Sequence, residues 1–147
     1  MSLLESERLY LETANIKHLD AWYDAMTDGY DEGAQWLKWP ERMPEKEFVG
    51  REMRGWEAEA QSAQKRRFLI FTKENPQLIG MIGFGKRPDP DEVYVFYYIR
   101  GSQRKKGYMK EMLKQFIKWI HSHWNIPCVV VKAEVDNIAS ATLVRGL

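Results

Sequence analysis

The feature that most limits the fold of this chain is a strand-like run, EVYVFYYIR at 92–100, that is apolar or aromatic on both faces. Successive side chains of a β-strand point to opposite faces, so this run predicts a central strand that is covered on two sides. Helices packed on the faces of a sheet provide such cover, which indicates an α/β class of fold.

The same run passes through a short glycine-containing turn into the clearest helix in the sequence, from Lys105 to about Trp124. Apolar residues recur there at helical spacing, and lysines occupy the other side. One face of this helix is therefore predicted to be buried. Its apolar residues are Met109, Met112, Leu113, Phe116, Ile117 and Ile120.

The other segments predict strands and helices in mixed order. Apolar alternation and β-branched residues predict strands at 8–14, 66–73, 77–86 and 128–135. Turn compositions between the runs from 66 to 100 favour antiparallel hairpins. Helices are predicted from Asn15 to about Met26, from Pro44 to about Gln64, and from Asp136 or Asn137 to the last residue.

Composition argues against several classes of function. The 22 Lys and Arg residues nearly balance 21 Asp and Glu residues, so the net charge of +1 gives no global attraction to nucleic acid or to an anionic membrane. No apolar run reaches the roughly 20 residues needed to cross a bilayer. We expect one soluble, cytoplasmic domain over residues 1–147, with no nucleic acid or membrane partner.

Cysteine and histidine usage predicts neither a metal site nor a thiol nucleophile. The single Cys128 is followed by three valines, which is typical of a buried structural thiol. The three histidines lack the spacing of zinc ligands, because residues two apart on a helix point to different sides. They are His18, His121 and His123.

The junction between the central strand and the strong helix is suited to anion binding. The first N–H groups of a helix have no partner within the helix, and the helix dipole places partial positive charge there. Gly107 lacks a Cβ and would let a phosphate approach the backbone, while Arg104, Lys105 and Lys106 add positive charge. A solvated basic loop is equally compatible with the spacing alone.

The run from Gln103 to Tyr108 resembles the Q/R-x-x-G-x-G/A pyrophosphate motif of the GNAT acetyltransferases. Arg104 and Gly107 match the motif, and Met109 replaces its third small residue. Further along, VDNIASATLVRGL is similar to the N-x-x-S/A segment that faces the pantetheine arm in the family. The order of elements over residues 8–147 also resembles the branch of ribosomal-protein N-terminal and spermidine acetyltransferases.

This resemblance implies a mixed α+β fold with a central, mostly antiparallel, twisted sheet that is flanked by helices. It implies an N-acetyltransferase that uses acetyl-CoA as cosubstrate and a protein N-terminus, a polyamine or another small amine as acceptor. The family continues with Gly-Phe and two more strands beyond this sequence, so we expect a C-terminally incomplete domain whose exposed sheet edges would allow a homodimer. The implied cofactor contacts are Ile99, Arg100, Arg104, Lys105, Lys106, Gly107, Tyr108, Met109, Asn137 and Ser140.

The reaction needs an acceptor for the amine proton, because an alkylamine has a pKa of about 10 and is mostly protonated at neutral pH. Glu92 is the leading candidate, with Asp136 and Glu134 behind it, although a solvated carboxylate is the commoner role at a strand start. Backbone N–H near Ile99 could polarise the thioester carbonyl. An aromatic wall around the amine is a further possibility, formed by Tyr30, Trp36, Trp39, Tyr94, Tyr97 and Tyr98.

Two departures from the family leave alternatives open. Many members have a tyrosine seven residues after the asparagine, where this chain has Val144, so Ser140 is the predicted proton donor or water-orienting group. Val144 and Met109 also motivate a non-catalytic acyl-CoA sensor or subunit as an alternative. An RNA-binding domain that uses Lys65, Arg66, Arg67 and the basic cluster at Arg104 is a weaker third hypothesis.

Overall fold

The predicted sheet is present in the computed structural model, which describes residues 3–32, 39–62, 65–135 and 138–145. The described strands form one seven-stranded sheet in which spatial order equals sequence order. Neighbouring strands are antiparallel except for the fifth and sixth, which are parallel. The strands are β1 (Leu4–Glu5), β2 (Leu9–Thr13), β3 (Lys65–Thr72), β4 (Leu78–Lys86), β5 (Glu92–Ile99), β6 (Cys128–Val135) and β7 (Ile138–Arg145).

Helices cover both faces of this sheet. The α-helices are α1 (Leu19–Thr27), α2 (Lys46–Ser62) and α3 (Tyr108–His123), and two short 3-10 turns span Ile16–His18 and Gly101–Gln103. The parallel β5–β6 pair needs a crossover connection, which α3 provides. Among the described residues, no helix is both long enough and apolar enough to cross a bilayer.

β5 contributes to two separate cores, as the sequence predicts. Val93, Val95 and Ile99 belong to the core that is packed with α3. Phe96 and Tyr98 point the other way, into the core formed with α1 and α2. The central position of this strand and the mixed α/β fold, with a mostly antiparallel sheet between helices, are thereby confirmed.

The strong helix begins three residues later than the sequence predicts. Gly107 occupies the N-cap position with φ of +77°, and Lys105 has φ of +62°, so neither residue can belong to a right-handed helix. The predicted buried face is present, because its inner side chains are fully inaccessible to solvent. They are Met112, Phe116 and Ile120.

The predicted C-terminal helix is wrong, since residues 138–145 form β7. This strand pairs with β6 along its whole length, from Val135 opposite Ile138 to Cys128 opposite Arg145. Pairing satisfies the N–H and C=O groups on the outer edge of β6, and the β-branched Thr142 and Val144 suit a strand. The sheet therefore does not end at β6. Asp136 and Asn137, the predicted helix caps, lie outside the described residues.

Candidate active site

The loop between β5 and α3 ends in a row of backbone N–H groups. In the described part of the chain, no acceptor lies within hydrogen-bonding distance of the N–H groups of residues 105–110, and the first N–H with a partner is that of Glu111, which donates to Gly107 O at 3.0 Å. The positive end of the α3 dipole lies at the same point. This row, called the amide cradle below, has the donors that a diphosphate group needs.

The space above Gly107 is open. A Cβ built on Gly107 would approach one atom within 4 Å, the Arg8 Nη2 at 3.6 Å. Gly107, Lys105 and Lys106 are exposed, so a ligand can reach the cradle from solvent. The residues at the predicted site therefore fit the diphosphate of a coenzyme A molecule, and an added side chain at position 107 would occupy its place.

Arg104 does not direct its charge to the amide cradle. Its guanidinium donates to Ile99 O at 2.8 Å and to Gly29 O at 3.0 Å, and it approaches the Glu32 carboxylate at 3.3 Å. It also lies over the Tyr98 ring, 5.2 Å from the centroid. The sequence-based view of Arg104 as a phosphate-facing cation is therefore not what the structure shows. Arg104 instead links the loop to Ile99 on β5 and to Gly29 after α1.

The lysines and Met109 leave the cradle accessible. Lys106 Nζ donates to Gln103 Oε1 at 3.0 Å, which holds its positive charge at the rim of the loop. Met109 is half-buried against the core on the α3 face, and Tyr108 packs there beside it under the Arg8 guanidinium at 4.3 Å. The replacement of the third small motif residue by Met109 therefore does not block the N–H groups.

β5 and β6 separate beside this loop. Their parallel pairing runs from Glu92 opposite Cys128 to Val95 opposite Val131 and goes no further, although both strands continue. The Arg100 N–H donates to Ile79 O on β4 at 2.8 Å, so by strand alternation the Ile99 N–H points to the β6 side. The half of β5 next to the cradle thus presents backbone to an opening in the sheet.

Asp28, at the end of α1, is the main anchor of the loop, and the sequence analysis missed it. Its carboxylate accepts from Arg100 Nε at 3.0 Å, from Ser102 N at 3.1 Å and from the Ser102 hydroxyl. Its backbone oxygen accepts from Gly101 N at 2.6 Å. Hydrogen bonds from Ser102 and Arg100 lower the pKa of this carboxyl. The dipeptide Asp28-Gly29 is an ordinary turn signal in the sequence, so only the tertiary contacts distinguish it.

Arg100 is buried in the same anchor and not free for a ligand. Its side chain is 10% exposed, and its Nη2 donates to Asp24 Oδ2 at 2.6 Å. A further bond from Nη1 to Leu78 O at 3.1 Å ties β4 to the group. Arg100 therefore holds the end of β5 in place, with its backbone N–H bonded to Ile79 O and its carbonyl accepting from Gln103 N.

Glu92 lies far from the amide cradle. Seven residues of extended strand separate it from Ile99, which is a distance of roughly 23 Å. Glu92 is at the end of β5 where the pairing with β6 is closed. Its carboxylate is 3.2 Å from Arg87 Nε and accepts from the buried Cys128 thiol at 3.6 Å. The structure therefore does not bring this predicted base to the opening.

We expect Glu92→Gln to change kcat by less than about twofold, because Glu92 is distant from the opening and its ion pair with Arg87 is partly exposed. Steady-state kinetics with a saturating acceptor would measure this. Arg87→Gln is the matched control for the ion pair alone. A hundredfold loss in Glu92→Gln with normal Arg87→Gln would restore Glu92 as the proton acceptor.

The C-terminal residues of the predicted site are placed only in part. Ser140 lies on β7 opposite Ala133, one strand beyond the edge of the opening. Its side chain is not among those described, and Asn137 lies outside the described residues altogether. The roles of both residues stay predictions.

Most of the predicted aromatic wall is core. Trp39 packs on Tyr30 with ring centroids 5.9 Å apart, and Tyr98 lies 5.0 Å from Trp39. The Tyr98 hydroxyl donates to Met26 O at 2.9 Å, and burial raises the pKa of Tyr98 to about 12. These rings pack against one another in the core formed with α1 and α2. Trp36 lies outside the described residues.

The basic run on β3 does not form one patch. Arg66 lies over Trp124 on the α3 face, whereas Arg67 lies over Trp56 on the α2 face. Lys65 lies over the Phe96 ring, on the same face as Arg67. Alternation along the strand therefore divides these three charges between opposite faces of the sheet.

Among the described residues, no group of three or more potential metal ligands occurs.

Known proteins resemble this chain in sequence. The sequence pattern of the acetyltransferase (GNAT) domain matches residues 8–147. The uncharacterized N-acetyltransferase YjdG of Bacillus subtilis strain 168 is 28% identical over an alignment of 158 residues that covers 100% of this chain and 89% of that protein.

Solved structures share the fold. An acetyltransferase from Salmonella typhimurium that modifies the N-terminal serine of 50S ribosomal subunit protein L7/L12 superposes with a TM-score of 0.76 at 22% identity, over 90% of this chain and 74% of that one. The microcin C7 self-immunity acetyltransferase MccE, in complex with acetyl-CoA and AMP, gives 0.73 at 16% identity over 89% and 73%. The match over residues 8–147, together with a two-sided β5 that leads into an exposed amide cradle, shows that this chain belongs to the GNAT family of N-acetyltransferases, whose cosubstrate is acetyl-CoA.

Proposed function

We propose that this acetyltransferase acts on the α-amino group of a protein or peptide. The observation that carries the proposal is an open cavity on the α1 side of the loop between β5 and α3, which is called the cofactor loop below. The cavity is lined by Tyr30, Asp31, Glu32, Met43 and Gly101. The carboxylates of Asp31 and Glu32 attract an ammonium group. Gly101 belongs both to the cavity lining and to the loop that leads to the amide cradle, and so connects the two. The Salmonella typhimurium relative, which modifies an N-terminal serine, supports the choice of a peptide acceptor.

Different backbone N–H groups bind the cosubstrate and polarise its carbonyl group. Acetyl-CoA, when bound, supplies the activated acyl group. The N–H groups of residues 105–110 hold the diphosphate, and the Ile99 N–H faces the opening, where it can donate to a carbonyl oxygen that gains negative charge. Two substrates held in line on either side of β5 would react with a high effective molarity.

The proposal is tested by following thiol release from acetyl-CoA with a panel of amines. The panel contains short peptides that begin with Ser or Ala, the same peptides blocked by N-terminal acetylation, spermidine and a small alkylamine. We expect turnover with free peptide N-termini and none with blocked ones. Turnover with spermidine or the small amine alone would contradict the peptide assignment while leaving acetyl transfer intact.

A second candidate is an acyl-CoA-binding sensor without turnover. In the described part of the chain, Asp24 and Asp28 are both ion-paired with Arg100, and Glu32 is ion-paired with Arg104. The carboxylates that contact the loop are thus engaged with arginines and not poised as bases, which favours this alternative. Tight coenzyme A binding by calorimetry, with no thiol release from any amine on the panel, would select the sensor.

We expect Ser140→Ala to lower kcat about tenfold or more while the KM for acetyl-CoA changes less than about threefold, because a proton donor acts only in the transition state. Steady-state kinetics with the best peptide would show the split. Ser122→Ala, which removes an exposed hydroxyl bonded to Lys118 O near the end of α3, is the control. Equal losses in kcat and in affinity would give Ser140 a positioning role instead.

A further inference from the structure

Two aspartates stand at the end of α1, where a negative charge is unfavourable. Asp24 lies in the last turn and Asp28 is the C-cap, and the last turn has no basic residue. The carbonyl end of a helix carries partial negative charge, so carboxylates there destabilise the helix unless a cation compensates. The compensation comes from Arg100, 76 and 72 residues away in sequence. Charges that are unfavourable in their local sequence, and that a distant residue compensates, are characteristic of a functional arrangement.

The two carboxylates make different contacts. The Asp24 carboxylate accepts a hydrogen bond from Arg100 Nη2 at 2.6 Å, and the Asp24 side chain is 71% exposed. Asp28 is 28% exposed and binds the loop itself, through Ser102 N at 3.1 Å and the Ser102 hydroxyl. Both aspartates pair with the charge of Arg100. Of these two residues, only Asp28 also binds the backbone of the loop.

The backbone of Asp28-Gly29 lies so close to the loop that a side chain at Gly29 or at Gly101 would be crowded. A Cβ on Gly29 would lie 2.7 Å from Gly101 Cα, and a Cβ on Gly101 would lie 3.0 Å from Asp28 Oδ1. The loop then continues by short turns, with Gln103 N donating to Arg100 O at 3.0 Å and Arg104 N to Gly101 O at 3.3 Å. The cradle follows directly at residue 105, so the position of its N–H groups depends on residues 100–104.

We infer that Asp28 is a positioning residue for acetyl-CoA: its carboxylate fixes the loop at Ser102 and thereby aims the amide cradle at the diphosphate. This inference rests on the proposed placement of the diphosphate at the cradle. Asp28 also lies next to the residues that line the proposed acceptor cavity, so the same anchor sets the distance between the two substrates.

The test compares Asp28→Ala with Asp24→Ala in the full chain, using coenzyme A binding by calorimetry, steady-state kinetics and thermal unfolding. We expect Asp28→Ala to raise the Kd for coenzyme A and the KM for acetyl-CoA about tenfold, as the loss of a charge-assisted hydrogen bond would, with kcat at saturation within about threefold. Asp24→Ala should bind within about twofold of the wild type. Asp28→Asn should recover part of the affinity, because its amide oxygen still accepts from Ser102 N while its amide nitrogen can no longer accept from Arg100 Nε.

Three results would overturn the inference: an unchanged Kd in Asp28→Ala, an equal loss of affinity in Asp24→Ala, or no recovery in Asp28→Asn. If Asp28→Ala does not fold, Ser102→Ala replaces it, with an expected rise in Kd of about threefold, and an unchanged Kd there would likewise contradict the role of Asp28. A wild-type chain that binds no coenzyme A would refute the cofactor site itself. Normal wild-type binding with normal Asp28→Ala binding would refute the positioning role alone.

Discussion

Replacement of Gly107 by glutamate is expected to abolish coenzyme A binding. The residue has φ of +77°, and its Cβ would point into open space above the amide cradle. A carboxylate there would compete for the N–H groups of residues 105–110 and repel the diphosphate. Titration by calorimetry should show no measurable heat of binding at ligand concentrations that saturate the wild type.

Gly107→Gln is the matched control, because it has the same length and the same backbone strain without the charge. Glutamine adds the same bulk without the charge, so it should weaken binding without abolishing it, while the left-handed conformation should cost about 1–2 kcal/mol in the free energy of unfolding. The difference between the two variants measures the electrostatic part. If Gly107→Glu binds coenzyme A as tightly as the wild type, the diphosphate does not lie at the start of α3.

Trp22→Ala is expected to lower the free energy of unfolding by about 3–5 kcal/mol, the usual cost of removing a large buried aromatic ring. Trp22 is 0% exposed and packs edge-on against Trp39, Trp56 and Tyr98. The indole Nε1 has no hydrogen-bond partner among the described residues, so the expected loss comes from packing. Urea denaturation followed by circular dichroism would measure it.

Phe48→Ala on α2 is the control for Trp22→Ala. Phe48 is 40% exposed, so its truncation should cost less than about 1 kcal/mol. Because Trp22 supports Tyr98, whose hydroxyl binds Met26 O and Asp28 O, Trp22→Ala should also weaken coenzyme A binding. A loss below about 1 kcal/mol in Trp22→Ala would show that α1 does not depend on this ring.

Where the sequence analysis failed, the deciding forces act between residues distant in the chain. Glu92 was chosen as a base because of its residue type, but the parallel pairing with β6 closes the sheet at that end. Arg104 was assigned to phosphate because of its charge, yet the Ile99 and Gly29 carbonyls, which β5 and α1 bring together, hold its guanidinium. Residues 138–145 were assigned to a helix because Asp136 or Asn137 could cap one, yet they pair with the edge of β6 as a strand.

The sequence by itself determined the two-sided β5, the apolar face of α3 and the glycine at its start. These features are local, because side-chain alternation, the 3.6-residue period and the need for positive φ are all set within a few residues. Only the tertiary structure decided which side chains support the cradle and which face solvent. Asp28 became the anchor because the end of α1 is packed against Gly101 and Arg100, more than 70 residues away in the chain, and no local pattern encodes that contact.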